Sequence, residues 1–277
     1  MFGVYCEVEL LVIYNLKNNI GFIMSENIFR EMAIDKISKQ IKSIISSVAP
    51  LLKIENGIPI IQGTCSFVKF ESQKFILTAK HVLEDYDNQL YINLEYNTHK
   101  IFKPGGESFL DKENDIGIIM LDIESINRIE SKYVFLELIS NQDNDKNNKY
   151  SFIGFPESRG RFNKYSSDKI NIEPIIYTSI LVEQERLGTY DIDNSKNISI
   201  YYIKKEVVNI SNNKISIGPD LYGVSGCLLI KHNDINFKIV GILTTWLTKN
   251  RDILIGPNIT LVNKLLLYAI NKRQQNI

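Results

Sequence analysis

The sequence predicts an all-β chain in two units, with a helix before the first and another after the second. Three observations carry that prediction. Apolar residues between about 57 and 256 come in short runs rich in Ile, Val, Phe and Tyr, broken by Gly, Asn and Asp, which is the texture of short strands. A polar tract, 141–148 (NQDNDKNN), divides those runs into two sets. Helical spacing of apolar residues is read at the two ends.

Residues 1–23 are apolar but carry Glu7 and Glu9. With no basic leader and no small-residue cleavage site, a secretory signal is not expected, and Met24 offers a second start. Residues 25–48 place Ile28, Met32, Ile37, Ile41, Ile44, Ile45 and Val48 on one helical face, with Ser25 or Asn27 as the cap and Pro50 as the stop. We divide the chain into an N-terminal extension and helix (1–50), a first β unit (51–140), a second β unit (141–256) and a C-terminal helix (257–277) packed on the second unit. Strands are expected in the first unit at 58–70, 74–80, 89–94, 115–121 and 133–138. In the second they are expected at 150–155, 173–182, 197–209, 226–230, 237–246 and 252–255, with long polar loops at 157–170 and 184–196. Pro257 opens the final helix, whose apolar residues are Ile259, Val262, Leu265, Leu266, Tyr268, Ala269 and Ile270.

Composition narrows the function. The chain has 277 residues, 44% of them apolar, enough for a sizeable core. Its 32 basic and 32 acidic residues balance, so neither nucleic acid nor an anionic membrane is expected as partner. No uncharged run approaches the length of a membrane span. Cys6, Cys65 and Cys227 cannot all pair within one chain and match no zinc pattern, which favours a reducing compartment. His99 and His232 sit in polar, turn-like contexts and are expected at the surface, as are the charges Asp111, Glu113 and Asp122. No residue cluster argues for a metal and no Gly-rich loop for a phosphate, so no cofactor is expected.

Three motifs stand in order. Gly63-Thr64-Cys65-Ser66-Phe67-Val68 precedes Phe75-Ile76-Leu77-Thr78-Ala79-Lys80-His81-Val82. Asn114-Asp115-Ile116-Gly117 opens an apolar run, and Gly223-Val224-Ser225-Gly226 precedes Cys227-Leu228-Leu229-Ile230. A serine hydroxyl is a poor nucleophile without an adjacent base. A histidine at a strand end can be aimed into a cleft, and an aspartate at the edge of a buried strand can accept its second ring N–H. Glycines flanking a serine allow unusual backbone angles and close substrate approach.

Over roughly 58–256 these motifs resemble the trypsin-like (chymotrypsin-fold) serine peptidases, of a bacterial intracellular type, and their order His, Asp, Ser is that family's order. The resemblance implies two antiparallel Greek-key β-barrels with the site between them. It implies His81, Asp115 and Ser225 as catalytic residues and the Gly223 and Ser225 amides as the oxyanion hole. Ser151-Phe152-Ile153-Gly154-Phe155-Pro156 looks like the segment that opens the second barrel, and Ile239-Val240-Gly241-Ile242 like the strand after the nucleophile. Thr244, Thr245 and Trp246 fall where the family's substrate-lining strand runs. Asp220 falls near its specificity pocket, where it would favour a basic residue before the scissile bond. Val224 stands where the secreted digestive enzymes have the Asp that pairs with a new N-terminus, which argues against that activation route.

The expected activity is peptide-bond hydrolysis in the cytoplasm, on a protein or peptide substrate, with a separately encoded activating or targeting partner. The rival readings are an inactive barrel pair that binds peptide, and an esterase of small acyl substrates.

Overall fold

Asn56 and Gly57 both take positive φ, 50° and 76°, the backbone that a two-residue hairpin turn demands. They join β1 (Val48–Glu55) to β2 (Ile58–Phe70) in an antiparallel pair whose last partners are Glu55 and Ile58. The computed structural model describes residues 39–41, 43–84, 89–94, 100–138, 149–162, 170–172, 174–204, 207–209, 214–232, 237–247 and 252–275. Most of the expected N-terminal helix therefore lies outside the described residues, as do the polar tract 141–148 and His99.

The described part of that helix covers 39–41 and 43–45 and ends earlier than its periodicity suggested. A turn at 46–47 leads directly into β1, where Pro50 pairs with Thr64. Val48 to Leu52 are buried on both faces, so Val48, the last residue of the expected helix face, instead opens a covered strand that the sequence pattern did not mark.

The first unit adds β3 (Gln73–Ala79), β4 (Tyr91–Asn93), β5 (Ile101–Phe102), β6 (Gly106–Asp111), β7 (Ile116–Leu121) and β8 (Leu136–Glu137). They form one sheet in the order β5-β4-β1-β2-β3-β7-β6, with β8 parallel to β2. Short helices α1 (Lys80–Glu84) and α2 (Ile123–Glu130) punctuate it. Side chains alternate across the strands. Phe67, Ile76 and Ile119 pack in the unit's own core, while Val68, Leu77 and Ile118 face a second core shared with the rest of the molecule.

The second unit has β9 (Tyr150–Gly154), β10 (Gly160–Phe162), β11 (Ile170–Ile172), β12 (Ile175–Ser179), β13 (Asn197–Tyr201) and β14 (Val207–Asn209). It continues with β15 (Lys214–Ser216), β16 (Cys227–His232), β17 (Phe237–Leu243), β18 (Thr245–Trp246) and β19 (Ile253–Pro257), and a short helix α3 (Gln184–Gly188). Two sheets, β12-β9-β16-β17 and β13-β19-β18, meet through the Gly241–Asn258 bridge. The loops expected at 157–170 and 184–196 contain a 3-10 turn with β10 and the helix α3, respectively.

The final helix, α4 (Ile259–Gln275), starts at Asn258, whose side chain accepts the Leu261 amide at 3.2 Å, while Pro257 ends β19. Val262, Leu265, Leu266, Ala269 and Ile270 are its buried stripe. The stripe packs on β17 and also on β6 and β7, so α4 braces both units rather than the second alone. No helix among the described residues is long and apolar enough to cross a membrane.

Candidate active site

His81 is the second residue of α1, directly after β3. Ala79, the last residue of β3, is buried and pairs with Ile116 at the start of β7. That register brings the residue before β7, Asp115, to the beginning of α1. Asp115 has a φ of 54°, the left-handed region that aspartate tolerates better than most residues. The turn ahead of it is fixed by Asp111, whose carboxylate accepts from the Glu113 and Asn114 amides and the Asn114 side chain. The Asp111 carboxylate therefore holds a turn rather than standing as a free solvated charge.

Asp115 meets α1 through three groups. Its carbonyl accepts the Lys80 amide at 3.1 Å and its Oδ1 accepts the His81 amide at 3.0 Å. Its Oδ2 lies 2.8 Å from Nδ1 of His81. The imidazole is oriented from both its backbone and its ring, and its side chain remains 41% exposed toward the cleft.

Ser225 sits in the turn before β16. Gly223 and Gly226 take φ of 89° and 93°, and a Cβ on either would collide with neighbouring backbone. Thr64 lies under the turn: its amide donates to the Ser225 carbonyl at 2.9 Å and its hydroxyl to the Gly223 carbonyl at 2.9 Å. Among the described residues the Gly223 and Ser225 amides have no acceptor. The Ser225 hydroxyl donates to the Thr244 carbonyl at 3.3 Å and makes no hydrogen bond to His81.

A cavity of about 490 Å³ joins these parts. The first unit lines it with Lys53, Glu55, Ile60, Ile61, Gln62 and His81. The second lines it with Glu157, Leu221, Tyr222, Gly223, Ser225 and Trp246. The β1–β2 hairpin, Glu157 and Tyr222 were not singled out by sequence reasoning. Cavity-lining residues of a hairpin carry no motif, although Tyr222, 67% exposed beside Gly223, is an unusual solvent-facing aromatic.

The remaining sequence candidates fall differently. Trp246 both lines the cavity and packs edge-on against Tyr202, 5.9 Å between ring centroids. Tyr202 in turn meets Tyr177, which meets Phe152, so an aromatic column runs from the second unit's core to the cleft. Thr245 is exposed and pairs with Ile255. Asp220 is not a cavity residue: its carboxylate is held 2.7 Å from the Lys204 ammonium, which cancels the charge a basic substrate would seek. Cys65 and Cys227 are fully buried, and burial pushes both thiols up, so neither is a competing nucleophile.

His232 corrects an expectation. It is 2% exposed, not at the surface. Its Nδ1 is 2.7 Å from the Gln40 side-chain oxygen and its Nε2 2.7 Å from the Ser151 hydroxyl, which continues to Thr178. This second Ser–His pair has no place among the cavity residues. Among the described residues no group of three His, Cys, Asp or Glu side chains is arranged to hold a metal.

No family model matches the chain, and no curated protein matches it either. Solved structures do. A human heparin binding protein aligns with 82% of this chain and 92% of its own, at 12% identity and TM-score 0.53. A scabies mite inactivated protease paralogue aligns with 83% of this chain and 96% of its own, at 13% identity and TM-score 0.51. A thermostable serine protease from an extremophilic microorganism covers 77% of this chain and 91% of its own, at 13% identity and TM-score 0.47. The strand order, the cleft between the two units and the likenesses to the heparin binding protein and the mite paralogue agree: the chain has the trypsin-like, chymotrypsin-type all-β fold.

Proposed function

We propose that the chain is a serine endopeptidase that hydrolyses peptide bonds through Ser225, His81 and Asp115. The observation that carries the reading is the Asp115–His81 contact at 2.8 Å opening onto the cavity that also holds Ser225 and the unpaired Gly223 amide. The Ser225 hydroxyl rests on the Thr244 carbonyl, and catalytic hydrogen bonds commonly tighten only when substrate arrives. In the reaction, Ser225 turns to Nε2 of His81 and attacks the scissile carbonyl as the imidazole takes its proton. The Gly223 and Ser225 amides hold the oxyanion. The C–N bond breaks, His81 passes the proton to the leaving amine, and water hydrolyses the acyl-enzyme by the same steps. Asp115 fixes the tautomer that leaves Nε2 free and stabilises the imidazolium. Thr244, Thr245 and Trp246 offer a strand edge for an extended protein or peptide substrate. The site requires no cofactor for these steps, and we place the activity in the cytoplasm of a bacterial cell, where a separate partner directs it.

A second reading is a binding module without chemistry. The resting Ser225–Thr244 bond favours it, as does the inactivated protease paralogue among the fold's likenesses. A fluorophosphonate probe separates the two. Labelling of the wild type but not of Ser225→Ala supports the peptidase; no labelling, with candidate partners present, supports the binder.

A further inference from the structure

Gly223 lines the cleft, and the peptides on either side of it are pinned. In a trans peptide the N–H and the preceding C=O point in opposite directions. The Tyr222 carbonyl accepts the Glu157 amide at 2.7 Å, which turns the Gly223 N–H the other way. The next peptide is fixed at both ends: the Gly223 carbonyl accepts the Thr64 hydroxyl at 2.9 Å and the Val224 amide donates to the Leu221 carbonyl at 3.1 Å. The Thr64 hydroxyl also accepts the Phe155 amide at 3.0 Å. One proton and one lone pair of one hydroxyl thus join the exit of β9 to the nucleophile turn, and Phe155 leads to Glu157, the residue that holds Tyr222. Thr64 is itself fully buried, and its carbonyl accepts the Thr78 hydroxyl at 2.8 Å. The side chain between Gly223 and Ser225 is Val224, which is apolar, buried and packed on Gly154, so no ion pair is available there to hold the turn.

We propose that Thr64 is a positioning residue whose hydroxyl sets the Gly223 amide in its oxyanion-binding orientation, so that the cradle stands formed in the uncleaved chain. The inference rests on the peptidase reading for its catalytic meaning, while its structural content stands apart from it.

The test compares Thr64→Val, which removes the hydroxyl at nearly constant shape, with Thr64→Ser, which keeps it, in the full chain. Fluorophosphonate labelling and p-nitrophenyl acetate turnover are measured, and both variants are crystallised. Losing a well-placed oxyanion donor costs about 10²–10³ in turnover, and partial misorientation is expected to cost about 10–100-fold in kcat with KM little changed. Thr64→Ser is expected to restore the wild-type rate, a rescue that a purely space-filling role would not give. In crystals of Thr64→Val the Gly223 N–H is expected to turn from the cleft. A Thr64→Val protein with wild-type labelling and an unmoved Gly223 peptide overturns the inference and leaves the peptidase reading intact. If the wild type does not label, the peptidase reading fails, and the orientation of Gly223 in the two crystals still decides the role of Thr64. Should Thr64→Val not fold, Thr64→Ala against Thr64→Ser makes the same comparison.

Discussion

Asp115 grips His81 at two points: its Oδ2 is 2.8 Å from the ring Nδ1, and its Oδ1 accepts the backbone amide at 3.0 Å while lying 3.1 Å from the same ring nitrogen. An asparagine keeps an oxygen for the backbone amide but can offer an NH₂ to the ring. Asp115→Asn is therefore expected to fold normally and to lose about 10⁴-fold in turnover, because the imidazole is held in the wrong tautomer. Ester or peptide turnover beside far-UV circular dichroism checks this; an active Asp115→Asn protein would remove the aspartate from the mechanism.

The Lys204–Asp220 pair, at 2.7 Å, makes a prediction about selectivity. A neutralised carboxylate outside the cavity gives no attraction to Lys or Arg. Cleavage of a peptide library is expected to show no preference for a basic residue before the scissile bond, and Asp220→Asn to leave the profile unchanged. Enrichment of Lys or Arg that disappears in Asp220→Asn would restore the acid to the specificity pocket.

His232 makes stability depend on pH. Burial, reinforced by the nearby Lys149 charge, lowers its pKa from the ordinary 6.5 to about 4. The unfolded chain therefore binds this proton first. Its contribution is fully present above pH 6.5 and declines as pH falls toward 4, reaching a loss of about 3 kcal/mol below that. Urea midpoints at pH 7 and pH 5 should differ in the wild type by more than in His232→Gln; equal pH slopes would show that this histidine does not govern the acid limb.

Gly226 has no room for a side chain. A Cβ there would lie 2.1 Å from Oγ1 of Thr78 and 2.4 Å from the Thr64 carbonyl, at a φ of 93°. Gly226→Ala is expected to cost on the order of 3 kcal/mol, from overpacking and backbone strain together. Urea denaturation reads the loss, and a midpoint within error of wild type would contradict the tight fit of this turn under Thr64.

Strand runs, the terminal helix and the three motifs were legible in the sequence because each is a local pattern. Short runs rich in Ile, Val, Phe and Tyr mark strands, the 262, 265, 266, 269 spacing marks one face of α4, and Gly223 and Gly226 around Ser225 mark a strained turn. Local pattern failed at β1, where Val48 continued the helical spacing and the run Val48–Leu52, covered on both sides, carries no period to mark it as a strand. β6 was missed for a related reason: Gly106-Glu107-Ser108 is exposed and polar, and it is a strand because β7 pairs with it.

The sequence by itself thus determined the strand-rich architecture, the order of His81, Asp115 and Ser225, and the backbone needs of the turn that carries Ser225. Only the tertiary structure decided that Lys204 cancels Asp220, that Gln40 and Ser151 enclose His232, and that the Thr64 hydroxyl reaches Gly223. The reason is physical: a residue's own neighbours in the chain set its backbone preference and its face, whereas a hydrogen bond or ion pair has a range of a few ångströms and exists only between groups that packing has brought together.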